Sequence, residues 1–190
     1  MTSTKESIVN AAKKLFRNEG IRDVSVDMIA AEAKLTKRTI YYHFQSKDDI
    51  IADYLRACDE LNITQFQTWF RETEGTVPDK VRGIFERLET LARNPRWKGC
   101  GFLRTSVELV KTPGHPALQA ARQHKKRVET WLASELESYV SPGEAEAIAK
   151  EIMVLMEGAF STVLLHRDPS YIQVAGDMAR LLVERMQAAG

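Results

Sequence analysis

Cysteine is scarce in this 190-residue chain: Cys58 and Cys100 are the only two, and neither belongs to a Cys-x-x-Cys or mixed His/Cys pattern. Their spacing argues against a zinc site and favours reduced thiols over a disulfide framework. No apolar run approaches the roughly 18–20 residues that a membrane helix needs. Lys5 and Glu6 come early, and no small-residue cleavage site follows an apolar stretch, so we expect no signal peptide. The expectation is a cytoplasmic protein that binds neither a metal nor a membrane.

The motifs that mark enzymes are also missing. The chain has no nucleophile motif, no glycine-rich phosphate loop, no metal-ligand spacing and no paired-carboxylate pattern. An all-α enzyme that used Cys100, or a pair such as His124 and Glu108, is therefore the least favoured interpretation. We expect no catalytic residues and no cofactor.

Apolar residues at helical spacing run through the whole sequence. Hydrophobic residues make up 44% of the chain, which supports a buried core, and no segment keeps up a two-residue alternation. The pattern predicts an all-α fold of about nine helices, separated by glycine and proline breaks. The predicted helices cover approximately residues 4–19, 25–33, 36–44, 46–71, 79–93, 102–111, 117–139, 141–166 and 168–186.

Residues 25–44 read as two short helices joined by a tight turn. Ser25 and Thr36 are suited to cap their first turns, and Ile40 and Phe44 are spaced to anchor the second helix inward. This layout is typical of a helix-turn-helix, whose second helix enters the DNA major groove. The side chains left on the open side of that helix are Lys37, Arg38, Thr39, Tyr41 and Tyr42.

Charge is distributed unevenly along the chain. Residues 1–47 hold nine Lys/Arg against five Asp/Glu, whereas the remainder holds 18 against 21. A basic head on a mildly acidic body suits a polyanionic partner at one end only, although chance can also produce so small a difference.

The first 50 residues resemble the TetR family of bacterial transcription regulators. The matching residues are Leu15-Phe16, Gly20, Ile29-Ala30-Ala31-Glu32-Ala33, Thr36-Lys37-Arg38-Thr39-Ile40-Tyr41-Tyr42-His43-Phe44 and Ser46-Lys47. The later helices match only in number and length. The resemblance implies a DNA-binding domain at residues 1–47, with its motif at about 25–44. A larger helical domain for effector binding and dimerisation then occupies residues 48–190.

One residue departs from the family pattern, because Lys34 stands where members usually have glycine, in the turn of the motif. A non-glycine residue in a left-handed turn costs on the order of 1 kcal/mol. Lys34 could instead reach a DNA phosphate.

The resemblance also implies roles at the DNA. Lys37, Arg38, Thr39 and Tyr41 are expected to reach base edges or the thymine methyl group. Phosphate contacts are expected from Tyr42, His43 and Lys47, and from the helix N-termini at Ser25, Thr36 and Ser46. Core packing is the alternative role for the aromatic side chains, above all for Phe44.

A single DNA-binding domain, here called a head, offers too few contacts for tight specific binding. Two heads about 34 Å apart on a palindromic operator solve this, so we expect a homodimer. The resemblance places the interface on the last two helices, and ordinary core packing is the alternative for each residue. The candidates are Ile148, Ile152, Leu155, Ala159, Val163, Leu181, Leu182 and Met186.

In resembling proteins a ligand bound among the middle helices releases the DNA, and the fourth helix is the natural lever between head and body. Aromatic walls with a few polar groups suit an apolar or aromatic small molecule. Core packing is again the alternative, and Arg104 and Glu108 are also spaced to pair with each other. The candidates are Phe66, Trp69, Phe85, Trp97, Phe102, Arg104, Glu108, His124, Trp131, Met156 and Phe160.

The sequence thus predicts a homodimeric repressor that a small-molecule ligand releases from a palindromic operator. Cys100, between two glycines and near Lys98, offers an alternative, a regulator that senses electrophiles or oxidants. A regulator that activates transcription, or that responds to a protein partner, is also compatible with the sequence.

Overall fold

The structure, a computed structural model, describes the backbone of residues 3–187 and the side chains of residues 3–185. This part of the chain forms nine α-helices and no strand, which confirms the predicted all-α class. None of these helices is both long enough and apolar enough to cross a membrane. The helices are α1 Thr4–Glu19, α2 Val26–Ala33, α3 Lys37–His43, α4 Lys47–Glu72, α5 Val77–Ala92, α6 Gly101–Glu108, α7 Pro116–Leu136, α8 Pro142–His166 and α9 Ser170–Gln187.

The predicted ends of α6 and α7 are each about three residues too late. After α6 the backbone tightens into turns, in which the amides of Val110 and Thr112 donate to the carbonyls of Val107 and Leu109. After α7 the Tyr139 amide makes the same kind of short bond. Apolar periodicity continues through such turns, so it overestimates helix length.

The helices form two compact units. Unit 1 contains the residues up to Leu61 together with Cys100–His124, and unit 2 contains Asn62–Gly99 together with the residues from Lys125 onward. The chain therefore leaves unit 1 within α4, returns at the start of α6 and leaves again within α7. Unit 1 is larger than the predicted DNA-binding segment, residues 1–47, because α6 and the start of α7 pack into its core.

The core of unit 1 joins α1, α2 and α3 to α4 and α6. Ile8, Ile29 and Ile40 are fully buried, and Phe102 brings α6 into the same apolar cluster. Burying each such side chain contributes about 1.5–3 kcal/mol, so this cluster fixes where α3 lies. The Phe16 and Tyr54 rings add a tilted contact, with their centroids 5.5 Å apart.

Unit 2 is built around α5, α8 and α9. At Gly176 a Cβ atom would lie only 2.6 Å from the Cβ of Phe85, so the close approach of α9 to α5 depends on the missing side chain. On the rim, Arg82 Nε pairs with Asp177 Oδ1 at 2.7 Å. The two helices are thus held by an apolar contact with charge pairs beside it.

Candidate nucleic-acid interface

Helix α2, which leads into the α2–α3 turn, is capped at both of its ends. The Ser25 hydroxyl oxygen accepts the Met28 amide at 3.2 Å, as the sequence predicts for an N-cap. At the other end of α2, Lys34 adopts the left-handed conformation, with φ 56° and ψ 41°. The amides of Lys34 and Leu35 donate to the Ala31 and Ala30 carbonyls, which satisfies the end of the helix. The turn keeps its left-handed geometry although it lacks glycine.

Helix α3 is fixed by its cap and its two apolar anchors. The Thr36 hydroxyl oxygen accepts the Thr39 amide at 3.1 Å, and the two threonine hydroxyls lie 2.8 Å apart. Ile40 is fully buried, and Phe44 is 4% exposed, as the predicted inward face requires. Both anchors point into the core of unit 1, so the opposite side of α3 faces outward.

We name the solvent-facing side of α3 the open α3 face, formed by Lys37, Arg38, Tyr41 and Tyr42. Tyr42 is 85% exposed and Tyr41 49%. Leaving two large aromatic side chains in water gives up the stability of their burial, which is typical of a binding surface rather than a packing surface. Core packing is therefore the role of Phe44 and not of Tyr42.

Lys37 forms an ion pair that the sequence analysis missed. Its ammonium donates to Asp27 Oδ2 at 2.9 Å, across the turn from α2. This hydrogen bond and the charge of Asp27 raise the pKa of Lys37. Both side chains remain more than half exposed, so the pair is open to exchange with a ligand in solvent. The sequence explains the position of Asp27, because an acidic residue stabilises the first turn of a helix. Nothing in the neighbouring sequence indicates that Asp27 pairs with Lys37.

Three other predicted DNA-binding side chains flank the open α3 face. His43 is half-buried and meets the Tyr42 ring edge-on, with centroids 5.1 Å apart. Thr39 is half-buried beside the Thr36 hydroxyl. Lys47 begins α4, and burial lowers its pKa; its ammonium approaches the Arg22 carbonyl at 3.4 Å. These three side chains thus lie at the border of the exposed surface.

The sequence also did not predict the hydrogen bonds that Glu108 of α6 makes with the loop after α1, which we name the Glu108 clamp. The Glu108 carboxylate accepts the amides of Ile21 and Arg22 at 3.0 and 3.1 Å, and the Arg22 guanidinium donates to the Glu108 carbonyl at 2.6 Å. A Cβ on Gly20, whose φ is 89°, would lie 3.2 Å from this carboxylate. Arg104 donates instead to the Arg17 carbonyl at 3.2 Å. Arg104 and Glu108, predicted to line an effector site or to pair together, thus bind the end of α1 and the loop after it.

Unit 2 carries an apolar surface on its last two helices. Val154 and Leu165 of α8 are 72% and 80% exposed, and Val174 of α9 is 58% exposed. We name this surface the outer α8–α9 face. Its members are Val154, Leu165, Tyr171, Val174, Met178 and Leu181.

Most predicted interface residues lie elsewhere. Ile148, Ile152, Ala159 and Val163 are buried inside unit 2, because their stripe of α8 faces the core. Leu155 and Leu182 are half-buried, and Leu181 alone belongs to the outer α8–α9 face. The Met186 side chain lies outside the described residues.

The predicted effector residues fall into separate contacts rather than one wall. In unit 1, Phe102 stacks on the His124 ring at 3.7 Å, and His124 Nδ1 lies 2.7 Å from Asp59 Oδ1. Both rings are buried, so this group packs the interior of unit 1. Asp59 is a partner that the sequence did not indicate.

The remaining effector candidates belong to unit 2. Phe66 and Trp69 form one ring contact, at 5.7 Å, and Trp97 and Phe160 form another, at 5.8 Å. Trp131 meets the Phe70 ring, and its indole N–H donates to Glu135. Phe85 and Met156 are buried in the same unit.

A cleft of about 700 Å³ lies on unit 2 between the end of α5 and the α8–α9 connection. Trp97 is the one predicted effector residue that lines it; Val163, Arg167 and Pro169 form its other side. A cleft of about 580 Å³ on unit 1 lies between α1 and α4 and contains none of the predicted effector residues.

The chain is similar to known regulators over both of its parts. Residues 8–54 match the model for bacterial regulatory proteins of the tetR family, and residues 77–179 match the model for the tetracyclin repressor-like C-terminal domain. The HTH-type transcriptional regulator YjdC of Escherichia coli (strain K12) is 24% identical over 176 residues, which cover 92% of this chain and 91% of that protein. The Transposon Tn10 TetC protein of Escherichia coli is 40% identical over 50 residues, 26% of this chain and 25% of its own. A solved TetR-family transcriptional regulator from Streptomyces coelicolor has a TM-score of 0.82 and 26% identity, covering 97% of this chain and 96% of its own.

Proposed function

Because this chain belongs to the TetR family and is a DNA-binding transcriptional regulator rather than an enzyme, we propose that it acts as a homodimeric repressor. Two copies bind a palindromic operator in the cytoplasm, and a small apolar or aromatic effector releases them. The observation that carries this proposal is the open α3 face, a short helix anchored by Ile40 and Phe44 with cationic and phenolic side chains outward.

At the operator, each side chain of the open α3 face has a role that suits its chemistry. Arg38 reads guanine O6 and N7, and Tyr41 contacts thymine. Tyr42 and His43 contact phosphates, and Lys47 does so from the start of α4. Lys37 reads a base edge after it leaves Asp27. Thr39 supports the same surface, and Ser25 and Thr36 hold the two helix N-termini toward the backbone.

The test of this assignment is base preference, read by selection from random duplexes followed by anisotropy titrations. Arg38→Ala should lose about 1–3 kcal/mol of discrimination at one guanine position in each half-site while keeping non-specific binding. The matched control is Arg87→Ala, which removes an exposed arginine from α5. If both variants keep the wild-type preference, Arg38 does not read the operator.

For the homodimer we propose the outer α8–α9 face, in place of the buried stripe of α8. On α9 its members recur three to four residues apart, at Tyr171, Val174, Met178 and Leu181, which is the spacing of a helix-packing stripe. On α8 its two members, Val154 and Leu165, lie about three helical turns apart. Exposed apolar surface of this kind is stabilised when a second copy covers it. Two α8–α9 pairs then form a four-helix interface.

For an effector to release DNA, its binding must change the DNA-binding segments, and helix α4 is the covalent connection to them. It runs from Lys47 to Glu72 as one element. Within unit 1, the Glu108 clamp holds α6 to the loop that precedes α2. A coupling of about 1–3 kcal/mol along α4 changes DNA occupancy by tens of fold. The ring contacts of unit 2 supply the apolar surroundings that suit the proposed effector.

The sign of regulation is tested in cells. Deleting the gene should raise transcription next to the sites to which the wild-type protein binds, because a repressor has been removed. A chromosomal copy that carries Arg38→Ala should have the same effect, and one that carries Arg87→Ala should not. Lower transcription at those sites would identify an activator instead.

A further inference from the structure

Both cysteines of the chain lie around one tyrosine hydroxyl in unit 1. Tyr54 and Cys58 are four residues apart on α4, so the Tyr54 ring and hydroxyl share one side of the helix with the Cys58 thiol. The same hydroxyl lies 3.0 Å from the point where a Cβ on Gly101 would stand. Gly101 follows Cys100, so the start of α6 places Cys100 near the Tyr54 hydroxyl, on the side of α4 that carries Cys58.

Both thiols are reduced and half-buried, and both pack against the apolar core of unit 1. Both residues are therefore partly open to solvent, as a reaction with a small oxidant requires. Cys100 lies between Gly99, whose φ is 73°, and Gly101, so neither of its neighbours in the chain carries a side chain. Its position is the N-cap of α6.

Cationic side chains surround this group. Burial raises the pKa of the Cys58 thiol, and the charges of Lys13 and Arg17 partly oppose that rise. Arg17 and Arg104 act in the same direction on Tyr54, whose pKa burial also raises. The raised pKa disfavours the Cys58 thiolate, so we assign Cys58 the second step, after a sulfenic acid has formed beside it.

We propose that Cys58 and Cys100 are a redox pair that a hydroperoxide closes into an intramolecular disulfide between α4 and α6. This inference goes beyond the proposed repressor function and does not depend on the effector or the operator.

The chemistry requires only the two thiols and the hydroperoxide. Cys100 sulfur attacks the peroxide oxygen and the O–O bond breaks. The other oxygen leaves with the thiol proton, as an alcohol or, from hydrogen peroxide, as water, while the sulfur becomes a sulfenic acid. Cys58 sulfur then attacks that sulfur, the S–S bond forms, the S–O bond breaks, and water leaves with the Cys58 proton. The two sulfurs together lose two electrons, and the peroxide gains them.

The bond would act on the DNA-binding unit. A disulfide needs its two Cα atoms within about 7 Å, so the N-cap of α6, Cys100, must settle against α4. The last residue of α6 is Glu108, which holds Ile21 and Arg22. Oxidation at one end of this eight-residue helix thus acts on the loop before α2 at the other.

The test uses the full-length wild-type protein treated with hydrogen peroxide and then digested without reductant. We expect the thiol titre of the native protein to fall from two per chain to zero, a peptide pair joined through Cys58 and Cys100, and reversal by dithiothreitol. Intact mass should fall by two hydrogen atoms per chain. Retention of both thiols, a bond between two chains, or a stable sulfinic acid without a cross-link would overturn the proposal.

Two variants assign the order of reaction, with dimedone as the probe for sulfenic acid. In Cys58→Ser, dimedone should label Cys100 after peroxide, because the second thiol is missing. In Cys100→Ser, Cys58 should remain unlabelled and reduced. Labelling of Cys58 but not of Cys100 would contradict the assigned roles. None of these readouts involves DNA, so failure here leaves the repressor proposal standing, and failure of DNA binding leaves this one standing.

Discussion

The two units of this protein expose opposite kinds of surface. Unit 1 presents polar and aromatic side chains on the open α3 face, held by buried anchors such as Ile40. Unit 2 presents apolar side chains on the outer α8–α9 face and buries aromatic contacts such as Phe66–Trp69. The first surface is suited to a polyanion and the second to another apolar surface. Substitutions that affect one property and spare the other test whether this division is real.

The largest expected effect is on dimerisation. Val174→Asp places a carboxylate in the centre of the outer α8–α9 face, and burying it without a partner costs about 3–5 kcal/mol. The dimer dissociation constant should rise by at least about 100-fold, measured by analytical ultracentrifugation. The matched control is Val107→Asp on α6, where the valine is 64% exposed in unit 1.

Unchanged self-association of the Val174→Asp variant would remove the outer α8–α9 face from the proposal. A similar loss in the Val107→Asp variant would show that dimerisation is not a property of unit 2.

The next effect is on the anchor of α3. Ile40→Ala removes a fully buried side chain and should lower the free energy of unfolding by about 2–5 kcal/mol. DNA binding should be lost while the dimer remains, because the damage lies in unit 1. Leu132→Ala, at an equally buried site in unit 2, is the control. Chemical denaturation, followed by tyrosine or tryptophan fluorescence, measures the stability of both variants. An equal loss of DNA binding in Ile40→Ala and Leu132→Ala would contradict separate roles for the two units.

A smaller effect concerns the backbone of the α2–α3 turn. Lys34→Gly should relieve the left-handed conformation, whereas Lys150→Gly should weaken the middle of α8. Both substitutions add the same conformational freedom to the unfolded chain, so the difference between the stabilities of the two variants reports on the backbone of the turn. We expect Lys34→Gly to be more stable than Lys150→Gly by about 1–2 kcal/mol in thermal unfolding. Equal stability of the two would show that Lys34 bears no strain.

The smallest effect concerns ionic contacts with phosphate. Lys47→Ala should reduce the slope of log affinity against log salt by about one unit, because one counterion fewer is released. Lys150→Ala removes an exposed lysine from α8 and should leave the slope unchanged. A parallel shift of the Lys47→Ala curve without a change in slope would assign Lys47 to structure, through its contact with the Arg22 carbonyl.

The local features of the fold could be predicted from the sequence. The caps at Ser25 and Thr36 were correct, because a hydroxyl three residues before an amide is a short-range signal. The buried positions of Ile40 and Phe44 follow from helical periodicity in the same way. The resemblance to a family rests on this same short segment, and the family match confirms it.

The contacts between distant parts of the chain could not be predicted. The Lys37–Asp27 pair and the Glu108 clamp join residues whose neighbourhood is set only after the helices pack. Helix α8 carries apolar residues on more than one side, and periodicity alone does not say whether Ile152 or Val154 faces the core. Of the predicted interface residues, Ile148, Ile152, Ala159 and Val163 are buried, which agrees with their alternative role as core, whereas Leu181 is exposed.

The bond between Lys37 and Asp27 has a consequence for how a sequence is chosen. In the proposed reading of the operator, Lys37 must release Asp27 before it binds a base, so its recognition step is an exchange of partners. At a mismatched site the exchange brings no gain, and the lysine returns to Asp27. Base specificity at this position then depends on competition between Asp27 and the DNA base for Lys37. Asp27→Asn would therefore increase the affinity for DNA and lower its sequence specificity.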